Sequence, residues 1–207
     1  MDTDIALAAK QLARLRAMNS RYHHRFFADI RYSILAGGAA FVLGAATHPW
    51  LFAAAPVVAL IGACTTAFHA YYLIFSRQYA ARLEVWLRHR TGSPLVAHRL
   101  EESYLFPLDR RKIVTLAPGP GFTWFGFMTG FYTIVGAAAY AGGVILVATT
   151  VFDAQHGTLS AVLGGLYLGA LGILTLASLA VGRWWFVKGE GERRLREILD
   201  EEFGPPA

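Results

Sequence analysis

The placement of the basic residues constrains this chain more than any other feature of its sequence. Four long apolar runs cover Ile30–Thr47, Trp50–Phe75, Phe122–Val151 and Leu159–Val187. All nineteen Lys and Arg residues lie at one end of these runs, and the connections Thr47–Trp50 and Phe152–Thr158 hold none. About 20 apolar residues cross a bilayer, and basic residues concentrate in cytoplasmic loops. The sequence therefore predicts an all-α membrane protein whose four transmembrane helices form two hairpins, with both termini in the cytoplasm.

The apolar runs divide the chain into five parts. We predict a cytoplasmic amphipathic helix in residues 1–29, a first transmembrane hairpin in 30–75, a cytoplasmic helical segment in 76–121, a second hairpin in 122–187 and a cytoplasmic C-terminal helix in 188–207. The polar N-terminal segment is longer than the basic start of a signal peptide, so we expect an uncleaved first helix.

Composition agrees with a membrane protein and argues against several other classes. Hydrophobic residues make up 55% of the chain, which is high for a soluble domain. The net charge of +5 follows from membrane sidedness, so we expect membrane lipids as partners and no nucleic acid. Sixteen of the nineteen basic residues are Arg, a bias typical of GC-rich bacterial genomes, which predicts a plasma-membrane location. Cys64 is the single cysteine, so neither an intrachain disulfide nor a cysteine metal site can form. We expect no metal and no cofactor.

The N-terminal segment has the apolar spacing of a packed helix. Its residues Ile5, Ala8, Leu12, Leu15 and Tyr22 approximate a heptad seam. Two interpretations of this seam stay open. In one, the helix lies against the membrane surface or the cytoplasmic middle segment. In the other, it forms a contact between subunits. Two further cytoplasmic helices are predicted, one running out of the second apolar run over Arg77–Arg90 and one over residues 190–203.

Small residues at helical spacing indicate where membrane helices approach one another. Gly126 and Gly130 are four residues apart in the third run, and Gly165 and Gly169 in the fourth. Glycines at this spacing allow close contact of helix backbones. The contact is either within one four-helix bundle or at a subunit interface.

His69 is the ionisable residue placed deepest in an apolar run. Thr65 and Thr66 lie within about one turn of it, so these three residues are candidates for a pore or solute pathway. None of the four runs contains Asp or Glu. That absence argues against proton-driven transport, which needs titratable side chains at depth.

Two further groups of polar residues are candidate binding sites. Arg110, Arg111 and Lys112 precede the third run, where they are candidates for gripping anionic lipid phosphates or another ligand. On the outer side, His48, Asp153 and His156 have residue types that suit zinc, but their spacing does not define a site.

Residues 1–90 resemble a known family in their layout. An N-terminal helix, the motif Tyr22-His23-His24-Arg25, a transmembrane hairpin and a charged helix leaving it follow in that order. This arrangement resembles the two-span, SLATT-like effector modules that bacteria pair with nucleotide-sensing defence systems. The resemblance implies oligomerisation and perturbation of the membrane. The chain departs from the family in carrying a second hairpin and no sensor domain.

The sequence contains no nucleophile elbow, Walker motif, HExxH, dinucleotide fingerprint or deaminase signature. We therefore expect a non-enzymatic integral membrane protein that acts as a homo-oligomer, forming a pore or scaffolding a cytoplasmic protein partner. Two alternatives stay open: a small channel or transporter for an uncharged or weakly charged solute, and a membrane-embedded enzyme acting on lipid at the cytoplasmic face.

Overall fold

The structure, a computed structural model, describes residues 2–92, 124–151 and 157–204. Over these residues the chain is helical and contains no strand. The five α-helices are α1 (Asp2–Ala46), α2 (Ala54–Thr91), α3 (Trp124–Val151), α4 (Gly157–Gly182) and α5 (Glu190–Phe203). A 3₁₀ helix, Pro49–Ala53, precedes α2, and a π-helical turn, Arg183–Val187, follows α4.

Helices α1 to α4 are each long and apolar enough to cross a membrane. The prediction of an all-helical chain with four membrane-crossing helices is confirmed to that extent. The predicted C-terminal helix at residues 190–203 is also confirmed.

Helices α1 and α2 are much longer than a bilayer requires. They contain 45 and 38 residues, whereas about 20 suffice to cross the hydrocarbon. The predicted amphipathic helix and the first transmembrane helix are therefore parts of one helix. No Gly or Pro lies between residues 3 and 36, so nothing in the local sequence interrupts the helix there.

The chain forms two compact units, and α1, α2 and α3 contribute residues to both. Of the described residues, the span unit comprises 26–67, 132–151 and 157–187, and the hairpin unit comprises 2–25, 68–92, 124–131 and 188–204.

In the span unit, close approach between helices depends on glycines other than those singled out from the sequence. A Cβ atom on Gly143 of α3 would lie 2.5 Å from Cδ of Pro56, and one on Gly62 of α2 would overlap the Ser33 hydroxyl of α1. By contrast, Gly165 and Gly169 are exposed on α4, and a Cβ on either meets nothing within 4 Å. Gly126 and Gly130 are buried in α3, within the hairpin unit.

Hydroxyl groups add hydrogen bonds between helices of the span unit. The Tyr140 and Thr175 hydroxyls lie 2.7 Å apart and join α3 to α4. The Tyr167 hydroxyl donates to the carbonyl oxygen of Ala53 at 2.6 Å. Cys64 lies 3.6 Å from the Ser178 hydroxyl, so α2 and α4 are linked as well. Such bonds within an apolar bundle are worth about 0.6–2 kcal/mol each.

In the hairpin unit, the first part of α1 packs antiparallel on the last part of α2. Their contact is an apolar seam in which Ala8, Leu12 and Leu15 of α1 meet Ala80, Leu83 and Leu87 of α2. The heptad spacing predicted for α1 is therefore used within the chain, against the helix of the middle segment, and not left exposed for another subunit. Phe203 of α5 packs against this core, and Leu195 and Leu199 of the same helix are buried.

We expect Gly143→Ala to lower the free energy of unfolding by about 1–3 kcal/mol, because the added methyl has no room beside Pro56. Gly136→Ala is the matched control, since it lies on the same helix and a Cβ there meets nothing within 4 Å. That change should be neutral or stabilise by up to about 1 kcal/mol. Unfolding in mixed micelles titrated with dodecyl sulfate measures both; equal effects would contradict the close approach.

Candidate functional site

The α1–α2 seam changes from apolar to polar beyond Leu15 and Ala80, about one helical turn along each helix. Asn19 follows Leu15 by four residues, and Ser76 precedes Ala80 by four. Ser76 is fully buried, and its hydroxyl lies 3.4 Å from Oδ1 of Asn19 and donates to the Leu73 carbonyl at 3.1 Å. A polar pair in an apolar seam favours one register, because a shift would bring both polar groups opposite apolar side chains.

Aromatic rings follow this polar pair at the next step of the seam. The rings of Tyr22 and Tyr72 are stacked, with centroids 4.6 Å apart and an interplanar angle of 9°. The imidazole of His69 lies 5.7 Å from the Tyr22 ring and 5.6 Å from the Phe68 ring. His69 is therefore packed among aromatic side chains of both helices.

Along one flank of the seam, two charged positions recur at an interval of one heptad. Arg16 forms an ion pair with Glu84 at 2.9 Å, and the Glu84 side chain is only 5% exposed. Seven residues further along α1 and seven residues back along α2, His23 faces Arg77. The same flank thus carries an attractive pair followed by a pair that repels when the histidine is protonated.

Burial lowers the pKa of His23 below its ordinary value, and the positive charge of Arg77 and the neighbouring His24 lower it further. The neutral imidazole is therefore the form that fits the folded hairpin unit. His24, one residue on, is exposed.

Helix α5 is fixed to α2 by polar and aromatic contacts. Arg82 of α2 forms an ion pair with Asp200, and the rings of Tyr79 and Phe203 lie 5.9 Å apart. At the start of α5, hydrogen bonds from Arg193 and then Arg194 lower the pKa of Glu190. Paired charges thus link α1, α2 and α5 within the hairpin unit.

The predicted pathway residues do not share one environment. The Thr65 hydroxyl donates to the Gly62 carbonyl of its own helix at 3.1 Å, and Thr65 is exposed. Thr66 is half-buried, and His69 contacts the aromatic rings described above. A solute pathway along these residues stays a prediction.

The other predicted sites are placed as follows. Arg110, Arg111, Lys112, Asp153 and His156 lie outside the described residues. The Nδ1 atom of His48 accepts a hydrogen bond from the Trp50 backbone at 3.3 Å and so caps the 3₁₀ helix. Within residues 2–92, 124–151 and 157–204 there is no group of three His, Cys, Asp or Glu side chains able to hold a metal ion.

Sequence reasoning missed the polar members of the seam. The heptad spacing from Ile5 to Leu15 continues through Asn19 to Tyr22, and the same spacing recurs on α2 at residues 69, 73, 76, 80, 83 and 87. Extending both patterns would have identified Asn19 and Ser76. The partners of Glu84 and His23 have no such signal, because flanking positions become neighbours only when the antiparallel register is known.

Comparison with protein-family models, with curated proteins and with solved structures finds nothing that matches this chain. The class to which the protein belongs follows from its own helices. Four helices long and apolar enough to cross a bilayer indicate a multi-pass membrane protein.

We expect the hairpin unit to lose stability as the pH falls below about 6.5, the ordinary pKa of histidine. The unfolded chain then binds a proton that His23 resists in the folded state, so protonation favours unfolding. His23→Phe should remove part of this pH dependence, whereas His24→Phe, at an exposed neighbouring position, should retain it. Hydrogen exchange of α1 amides between pH 5.5 and 7.5 measures the difference; identical profiles for the two variants would contradict the assignment to His23.

Proposed function

We propose that this protein is a non-enzymatic integral membrane protein of the bacterial plasma membrane that acts by assembling with copies of itself. Its assemblies form a pore or scaffold a cytoplasmic partner. Both termini and the middle segment lie in the cytoplasm in this proposal. The single observation that carries the assembly is the open glycine face of α4.

The hairpin unit is formed by separate parts of the chain, and their association supports the proposed topology. It contains residues from the N-terminal segment, from the end of α2 and from α5. The Arg16–Glu84 and Arg82–Asp200 ion pairs join these parts. Segments that pack together must lie on the same side of a membrane, and each is separated from the next by two predicted crossings. The concentration of Lys and Arg in these segments supports the cytoplasmic side.

The exposed face of α4 supports association in the membrane. Leu166, Ile173 and Leu176 are 67–71% exposed, as expected for side chains that face lipid. Gly165 and Gly169 lie among them, exposed and with open space where a side chain would be. Because no side chain covers the backbone at these glycines, another helix can approach it closely. The van der Waals contacts made in this way are better than those that lipid chains supply. A second copy of α4 has the shape to use that contact.

The resemblance of residues 1–90 to two-span effector modules agrees with assembly as the mode of action. Those modules are thought to act as oligomers that perturb the membrane. In this chain the corresponding helices, α1 and α2, also build the seam of the hairpin unit.

The topology is tested with single cysteines in a Cys64→Ser background and a thiol reagent that does not cross membranes. We expect Arg90→Cys and Glu202→Cys, both at exposed positions, to react in inside-out vesicles only. Thr47→Cys, at the opposite end of α1, should react in right-side-out vesicles only. Reaction of Glu202→Cys from the outside would contradict the proposal.

Assembly is tested by the mass of the protein in nanodiscs, with leucine placed on the open face. Wild type should contain more than one copy, and Gly165→Leu/Gly169→Leu should shift it to the monomer by blocking backbone approach. Gly38→Leu is the control, because Gly38 is equally exposed on α1 and a Cβ there meets nothing within 4 Å. A monomeric wild type would overturn the proposed mode of action.

A further inference from the structure

Helix α1 carries a row of exposed residues on the face opposite the seam. The row, spaced by three and four residues, is Leu7, Lys10, Arg14, Ala17 and Arg21. Residues 5–28 contain five Lys and Arg and no Asp or Glu, so no acidic side chain of this stretch balances the row. Leu7 is 61% exposed at the start of the row, although it lies outside the predicted transmembrane segments.

Helix α5 carries an exposed row of the opposite charge. It consists of Glu197, Ile198, Glu201 and Glu202, and Ile198 is 58% exposed. The helix as a whole holds six Asp and Glu against three Arg. Arg193 and Arg194 are engaged with Glu190 near the start of the helix, at 2.8 and 3.0 Å. Arg193 also pairs with Glu197 of the row at 3.3 Å, whereas no ion pair is seen at Glu201 or Glu202 among the described residues.

The acidic residues at the end of α5 occupy an unfavourable position for an isolated helix. The last turn contains no basic residue, and the C-terminal end of a helix carries partial negative charge that repels carboxylates. Glu201 and Glu202 therefore gain from a cation supplied from outside the helix. An exposed isoleucine beside them favours a partner that brings apolar surface together with positive charge.

We propose that the basic row of α1 in one copy docks on the acidic row of α5 in a second copy. Each row combines one exposed aliphatic side chain with several charges of one sign, and the two signs are complementary. Both rows are exposed, so neither is covered by the other within one chain. The contact is heterologous, and repeated about an axis perpendicular to the membrane it closes into a ring.

This inference rests on the proposed assembly and names the contact that orients it. The glycine face of α4 supplies close approach within lipid, whereas the charged rows select which side of one copy meets the next. Charge complementarity of this kind fixes orientation and partner choice more than it adds affinity.

The experiment exchanges the charges of the two rows in full-length protein in zwitterionic nanodiscs. Arg14→Glu/Arg21→Glu reverses the basic row, and Glu201→Lys/Glu202→Lys reverses the acidic row. We expect each variant alone to associate about tenfold more weakly than wild type. A variant with all four changes, and an equimolar mixture of the two reversed variants, should both recover association to within about threefold, because every junction is again complementary.

Arg90→Glu/Arg196→Glu is the matched control, since it changes the net charge by the same amount as the basic-row variant at exposed positions outside both rows. Its association should equal that of wild type. Far-UV circular dichroism and the elution volume of the dissociated protein establish that each variant folds. Raised salt should weaken wild-type association, because exposed charge pairs are screened beyond about 8 Å at physiological ionic strength.

Three results overturn the inference. Failure of the four-change variant to recover association shows that the rows do not meet. Weakening by the basic-row variant alone shows that the row binds another anionic partner, such as lipid. Full association of all row variants, together with loss in Gly165→Leu/Gly169→Leu, removes the charged contact while leaving the proposed function in place. A monomeric wild type instead removes the proposed function itself.

Discussion

The hairpin unit depends on the antiparallel pairing of α1 with α2, in which a polar pair lies within an apolar seam. Leucine and alanine pairs would tolerate a shift by one heptad with little loss of buried area. Ser76 and Asn19 favour the observed register, because a shift would separate their side chains and bring both opposite apolar neighbours. With the register fixed, Arg16 meets Glu84, His23 meets Arg77, and the remaining face of the pair accepts α5.

The span unit is held by a different balance of forces. Lipid tails are as apolar as the side chains of the protein, so burying apolar side chains adds little stability within the membrane. Close backbone contact and hydrogen bonds from hydroxyl groups therefore contribute more of the stability. Gly143 beside Pro56, and Tyr140 beside Thr175, are the contacts of this kind. Large aliphatic side chains cover much of the outer surface, where lipid is the expected neighbour.

Sequence alone predicted the helical class, the four apolar helices and the C-terminal helix, because each depends on local composition and periodicity. It also identified the apolar residues of the α1 seam, but it did not decide what packs against them. The glycine motifs show the same limit of sequence-based prediction. Their spacing identifies Gly165 and Gly169, but only the fold shows that the space beside them is open. The fold also shows that Gly62 and Gly143 have close neighbours. Contacts between residues 57 to 118 positions apart, such as Asn19 with Ser76 and Arg82 with Asp200, have no local signature.

Those long separations have a consequence for how the protein is made. In the proposed topology, two helices must traverse the bilayer and return before Glu84 can reach Arg16, and two more before Asp200 can reach Arg82. A chain that inserts one helix with the wrong orientation separates these partners by the whole thickness of the membrane. The buried carboxylate of Glu84 would then lack its counterion, and the unclosed seam would present leucines to water, a surface that chaperones and proteases recognise. Completion of the hairpin unit would thus report that insertion has succeeded.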